Sequence, residues 1–274
     1  MTVMVSFNIG GAPLTDDGLQ TACGKLKVKA AELWAVIFTE TDPPYGGFFV
    51  DARPQILFER HVFQRLTGKR FDATNPEVSG DTGRPYGAAG DHQYKRLGEA
   101  LKLDPTAALQ SASWGIGQTL GENYKAAGYT SPYDLVTAMF QSEDAQLLAA
   151  ANEMINTGCA KALAVHDWKT FARIYNGPGY AKNSYDLKLS SWYAKCSNGA
   201  LPDLHVRAAQ YYLNYLGYGP FSIDGLFGRQ TANTVANYQA KSNLQVTEQV
   251  DDQTFQALSA EANASIQAKS AFSG

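Results

Sequence analysis

Lys29–Glu40, KAAELWAVIFTE, is the stretch that decides the fold. Ala30, Ala31, Leu33, Trp34, Ala35, Val36, Ile37 and Phe38 point in nearly every direction around a helix, and a helix that is apolar all round is a buried one. It ends in a carboxylate, Glu40, and chain-breaking residues follow at once: Thr41, Asp42, Pro43, Pro44, Gly46 and Gly47. Such a helix delivers an acid to a sharp exit. Apolar surroundings penalise the charged form of Glu40. The last helical turn disfavours an anion by about 0.3–1 kcal/mol, and a neighbouring carboxylate adds to both effects. A glutamate kept protonated near neutral pH can protonate a leaving oxygen. A solvated glutamate that merely ends a core helix would carry the same sequence, and this stretch by itself leaves both open.

On either side the chain reads as mostly helical. Thr15 caps a first helix, with Leu19, Ala22, Cys23 and Leu26 at helical spacing. After Glu40, Gly46–Phe49 reads as a tight turn into an extended pair. Residues 55–65 read as helix, or as strand running into helix, and 67–90 as an ordered surface loop lining a cleft. Asp104 caps a helix with Pro105 at its first position, which the pattern carries as far as Ser113–Gly115. Ser131, Ser142 and Asp167 cap the next ones. Asn176-Gly177-Pro178-Gly179 stops the chain hard before a last helix over 183–195. Ser197–Asp203 has the composition of a linker. Beyond it, helices over 204–216, 231–240 and 252–260 form a small three-helix module, too small and too poor in acid–base candidates to be an enzyme.

Composition narrows the function classes. The 274 residues are 45% hydrophobic and 18% charged, an ordinary globular balance. The net charge is −3, and residues 201–274 hold four cations against six anions. Without a basic excess, neither a nucleic acid nor an anionic membrane surface is an expected partner. The aromatic content of 12%, with fifteen tyrosines, suits stacking on sugars as well as core packing. Cys23, Cys159 and Cys196 are odd in number and far apart, which fits free thiols in a reducing compartment. His61, His92, His166 and His205 are scattered, so neither a metal site nor a catalytic histidine is expected. The start has no signal-peptide pattern, and no apolar run is long enough to span a membrane.

Taken in order, Glu40 at a helix end, a Gly-rich turn, Ser113–Gln118 (SWGIGQ) and Ala172–Tyr180 (ARIYNGPGY) resemble the lysozyme-like superfamily. Within it, the chain is most similar to the phage N-acetylmuramidase family of endolysins. The blocks ILFERHVF, TGKRFD, YGAAGDHQYKRL, ALQSASWGIGQTLGENYKAAGY and DWKTFARIYNGPGYAKNSYDLKL carry the resemblance, over about residues 15–195. The chain departs from the pattern after the acid, where E-S/T-x-G is expected and Glu40-Thr41-Asp42-Pro43-Pro44 stands. The tail, with Ile223-Asp224-Gly225-Leu226-Phe227-Gly228 followed by Thr231, Val235 and Gln239, resembles the three-helix peptidoglycan-binding domain often joined to wall hydrolases.

The resemblance implies a mainly α protein. Residues 1–196 form an α+β lysozyme-like catalytic domain with a small β-hairpin region, 197–203 a linker, and 204–274 a three-helix bundle. It implies hydrolysis of the β-1,4 bond between N-acetylmuramic acid and N-acetylglucosamine, with Glu40 as general acid. Asp42, Asp51 and Glu59 are candidates for a second carboxylate. Gln118, Tyr175, Asn176 and Trp114 are candidate substrate contacts, though each also has a structural reading: loop tie, core aromatic, helix stop and core packing. Asp224, Gly225, Phe227 and Tyr218 are the candidate wall-binding residues, with Phe227 and Tyr238 equally readable as core. The implied partner is bacterial peptidoglycan, met by a monomer without cofactor or metal. Such a chain is made in the host bacterial cytoplasm and released to the periplasm and wall. A lytic transglycosylase, a muramidase effector delivered into a rival cell and a non-catalytic wall-binding protein would share these residues.

Overall fold

A computed structural model describes residues 6–41, 45–83, 85–219, 221–269 and 272–273. Asp42, one of the candidate carboxylates, lies outside them. The chain runs β1 (Ser6–Phe7), α1 (Asp16–Leu26), α2 (Ala30–Glu40), β2 (Ile56–Phe58), α3 (Arg60–Leu66), α4 (Asp91–Leu103), α5 (Pro105–Gln110), β3 (Ala112–Trp114) and β4 (Thr119–Leu120). There follow α6 (Pro132–Gln141), α7 (Glu143–Thr157), α8 (Cys159–Ala164), α9 (Trp168–Tyr175) and α10 (Tyr185–Asn198). The last elements are α11 (Leu204–Tyr215), α12 (Arg229–Lys241), α13 (Asp252–Ala268) and β5 (Phe272–Ser273), so the fold is mainly α.

The helix starts follow the sequence signals. The side chains of Thr15, Asp104, Ser131, Ser142 and Asp167 each accept the backbone N–H three residues on, and Gly158 closes α7 in the left-handed region. Helix α2 buries Leu33, Trp34, Ala35, Val36, Ile37 and Phe38 in a core shared with α1, α7, α9 and α10. Full burial of such large side chains stabilises by about 1.5–3 kcal/mol each. The three cysteines are free and buried, and burial pushes the Cys159 and Cys196 thiols up to about 11. They are packing residues, protonated at neutral pH. Among the described residues no helix is long and apolar enough to cross a membrane.

Only part of the sheet is where the sequence pattern puts it: β2 followed by α3 is the strand running into helix read over 55–65, whereas β3 falls inside an expected helix. Gly46–Phe49 makes only an isolated bridge, Phe48 to Pro54. The three-stranded antiparallel sheet is β2-β3-β4, with Ile56 opposite Trp114 and Trp114 opposite Thr119. The helix begun by Asp104 therefore ends at Gln110, and Ser113 and Trp114 are extended. Three residues of strand carry too little periodicity to be read. The loop 67–90 is pinned to α4: Arg96 donates to the carbonyls of Glu77 and Tyr86, Gln93 to those of Tyr86 and Ala88, and Val78 is buried in the core there. Helix α13 also continues to Ala268, eight residues past the expected end, because Ala262 and Ile266 pack into the third core.

That third core joins the C-terminal helices to the rest of the chain. It combines Tyr211, Tyr212, Leu213, Val235, Tyr238 and Leu258 with Phe48 and Ala52 from the segment after α2. At its edge Arg207 of α11 is fully buried and forms a bidentate ion pair with Glu143, the first residue of α7. Glu143 also accepts the N–H groups of Leu14 at 2.8 Å and Gly47 at 2.6 Å, and Arg207 donates to the Tyr45 carbonyl at 3.0 Å. Burial alone would raise the Glu143 carboxyl; Arg207 and these N–H donors outweigh it and hold it below its usual value. The expected linker is mostly exposed but anchored at both ends: Ser197 and Asn198 belong to α10, Pro202 is buried, and the Asp203 N–H donates to the Gly225 carbonyl.

Truncating one partner of a buried pair strands the other charge, which costs about 3–5 kcal/mol. Arg207→Met is therefore expected to lower the urea midpoint of the whole chain sharply. Arg65→Met, which removes the exposed pair with Glu122, is expected to cost less than about 1 kcal/mol. Equal midpoints for the two variants would contradict this ranking.

Candidate active site

Glu40 closes α2 at the floor of a cleft of about 490 Å³. The sheet side supplies Leu57, Glu59 and Ser113; the turn between β3 and β4 supplies Gln118; the helical side supplies Glu153 of α7 and Tyr175 of α9. Asn176 and Gly177 form part of the rim, and His61 and Arg65 of α3 part of the opposite one. Residues far apart in sequence thus meet around one carboxyl group. Of the sequence candidates, Glu59, Gln118, Tyr175 and Asn176 share the cleft with Glu40.

Burial pushes the Glu40 carboxyl up to about 7 from an ordinary 4.5. A hydrogen bond donated by the Tyr185 hydroxyl opposes this, the Glu153 carboxyl adds to it, and Lys188 opposes it weakly. Desolvation wins because the group sits at the end of the buried helix with no cation paired to it. Tyr185, in the first turn of α10, is 5% exposed and is the tyrosine that touches the acid. The sequence offered only weak notice of it, as one residue inside the NSYDLKL block. Glu153 is also new to the site. Burial raises its carboxyl to about 7 against hydrogen bonds from Asn123 and Thr119.

The remaining candidates divide by geometry. Tyr175 donates to the Gly117 carbonyl at 2.6 Å, so its hydroxyl ties α9 to the SWGIGQ turn. Gln118 adopts a left-handed φ of 47° and donates to the Gly115 carbonyl at 2.9 Å. Asn176 is exposed at the end of α9. Trp114 is corrected: it is 0% exposed, packs against Phe140 and donates to the Leu109 carbonyl, so it cannot stack on a sugar. Asp51 is corrected as well: it pairs with Arg53, which also holds Asp91, and lies outside the cleft. The loop 67–90 does not line the cleft with its described residues as expected, and reaches it only where the Tyr86 hydroxyl meets Glu59. Glu59 also accepts from Ser113 Oγ at 3.1 Å and stands 3.6 Å from His61 Nε2.

In the C-terminal helices a groove of about 310 Å³ is lined by Asp224, Leu226, Phe227 and Arg229. Gly225 takes φ +70°, and a Cβ there would meet the Asp203 carbonyl oxygen at 2.9 Å. Asp224 accepts from Gln210 and from the Leu226 N–H, closing the turn. Phe227 is 38% exposed, against the core reading, whereas Tyr238 is 1% exposed and agrees with it. Tyr218 lies outside that groove, edge-on to Tyr238 with Lys241 over its ring.

A mainly helical fold with a small sheet, and a cleft lined from both with a glutamate at a helix end, fit a lysozyme-like glycoside hydrolase. Residues 29–197 match the N-acetylmuramidase family and residues 203–258 a peptidoglycan binding domain, and the chain belongs to the N-acetylmuramidase family. The crystal structure of Burkholderia AP3 phage endolysin is 35% identical, with a TM-score of 0.59 over 68% of this chain and 71% of that one. No curated protein sequence matches. The protein is a modular phage-type muramidase, a hydrolase of peptidoglycan.

Glu40 and Glu153 keep their protons to about pH 7 when folded and lose them near 4.5 when unfolded. Their contribution to stability is therefore intact below about pH 4.5 and is lost as the pH rises through 7. Scanning calorimetry is expected to find a Tm that falls between pH 5 and pH 8, with a shallower fall in Glu40→Gln. A variant slope as steep as wild type would contradict the buried-acid assignment.

Proposed function

We propose that Glu40 is the general acid that protonates the glycosidic oxygen of the β-1,4 bond between N-acetylmuramic acid and N-acetylglucosamine. The observation that carries this reading is the Glu40 carboxyl, raised to about 7 by burial, at the floor of the cleft. A group with that pKa holds its proton at neutral pH and can still give it up. As the leaving oxygen takes the proton, positive charge develops on the sugar ring. Glu59 is the carboxylate on the sheet side, held by Ser113 and Tyr86, and is placed to meet that charge. Gln118 and Asn176 are the contacts for the sugar substituents; Tyr175 supports the turn beneath them.

The same reading divides the chain into a catalytic domain over 1–196, a connector over 197–203 and a wall-binding module over 204–274. Asp224 and Gly225 shape the module's turn, and Phe227 offers an exposed ring beside it. Tyr218 contributes the second aromatic surface. The module holds the enzyme at an insoluble substrate and raises its local concentration there. The protein acts as a monomer, without nucleic acid, after release from the cytoplasm of the host.

Purified wall digested by wild type is expected to yield fragments with a reducing N-acetylmuramic acid end. Glu40→Gln is expected to lower the rate by about 10²–10⁴-fold, the range for a lost general acid, with wall binding retained. Mass analysis of the fragments checks both points: 1,6-anhydro ends would assign a transglycosylase, and undiminished lysis by Glu40→Gln would remove the assignment of the acid.

A further inference from the structure

Glu153 has no part in the reaction as described, yet it is a buried carboxyl lining the same cleft as Glu40. It sits on α7, is 6% exposed, and forms no ion pair among the described residues. Oε1 accepts from Asn123 Nδ2 at 2.7 Å. Oε2 has only the neighbouring Thr119 hydroxyl beside it, which lowers the carboxyl slightly without forming a well-aligned hydrogen bond. A buried carboxyl with one poorly satisfied oxygen is expensive to keep unless something is gained by it.

The groups around it are all neutral or acidic. From β4 comes Thr119, from the turn after it Asn123, from α9 Tyr175, from α8 Cys159 and from α2 Glu40 itself. On α10, Tyr185 and Lys188 act on Glu40. Glu122, the nearest acid in sequence to Asn123, is committed to Arg65. Among the described residues neither carboxyl forms an ion pair, and both line one cleft, where charge on Glu153 raises the Glu40 carboxyl.

We propose that Glu40 and Glu153 form an acid pair that shares one proton at neutral pH, with Glu153 as a positioning residue that keeps Glu40 protonated. Two like charges that close in a low-dielectric site do not both form readily, so the first ionisation holds back the second. Glu153, helped by the Asn123 donor, supplies the negative charge, and Glu40 keeps the proton to a higher pH than it would beside a neutral group. Glu153 touches neither substrate nor leaving group; it acts through Glu40. The inference rests on Glu40 being the acid.

The test is the pH profile of kcat/KM on soluble muropeptide oligomers for full-length wild type, Glu153→Gln and Glu153→Asp. The Gln variant keeps an acceptor for Asn123 and loses the charge. Its alkaline limb is expected to move down by about one pH unit, giving a loss approaching tenfold above pH 8 and little change at pH 5. Glu153→Asp, which restores the charge, is expected to return the limb toward wild type. Carbon-13 carboxyl NMR of Glu40 should show its midpoint falling in Glu153→Gln by the same interval. An unmoved limb and midpoint would overturn the proposal, and so would a loss that is equal at all pH values, which would make Glu153 structural. If Glu40→Gln retained activity, the acid assignment itself would fail; if Glu40→Gln is inactive and the Glu153→Gln limb stays in place, only the pairing fails.

Discussion

The buried ion pair between Glu143 and Arg207 is the constraint on which the arrangement of the chain depends. One carboxylate gathers the N–H groups of Leu14 and Gly47, and the guanidinium it holds reaches the Tyr45 carbonyl. Four segments are fixed at that point: the entry to α1, residues 45–47 beyond α2, the start of α7, and α11. Moving two charges out of water is favourable only when nearly every donor and acceptor finds a partner. Here the Glu143 oxygens do, while Arg207 Nε does not. The pair thus specifies a geometry more than it adds net stability.

Helix α7 carries that geometry to the cleft. One turn after Glu143, Gln146 accepts the Ile116 N–H and donates to the Met139 carbonyl, which sets the turn bearing Gln118. Ten residues after Glu143, about 15 Å along the axis, Glu153 enters the cleft. The two glutamates share a helix and a side-chain chemistry, and burial acts on both. A guanidinium and two N–H donors keep one charged; an amide and a hydroxyl leave the other near 7. Environment, and not residue type, assigns their roles.

The wall-binding reading of the C-terminal helices changes in character once they are placed. A tethered anchor would need only a flexible connection. Instead, Phe48 and Ala52 share a core with Tyr211 and Ile266, and Ile223 packs on Gly46. Residues 46–52 are therefore packed against the C-terminal helices. The helices that match a peptidoglycan binding domain thus also shape the chain a few residues beyond Glu40.

Sequence alone determined the helices and their caps, because a cap needs one hydroxyl or carboxylate three residues before its donor and a buried helix needs only its own apolar pattern. It also marked Glu40, Glu59, Gln118 and Tyr175, since each stands inside a block whose residue types are distinctive. It offered β2 only as an alternative to helix and could not place β3 and β4, because the strands are two or three residues long and β2 pairs with β3 across 54 to 58 positions. It read Trp114 as a candidate for sugar stacking, although an aromatic residue in a strand looks the same whether it faces solvent or core. Tyr185, Glu153 and the Glu143–Arg207 pair were decided by tertiary structure only. A carboxyl group becomes an acid, a tuner or an anchor according to which charges and how much water surround it, and those neighbours come from helices that lie far apart in the chain.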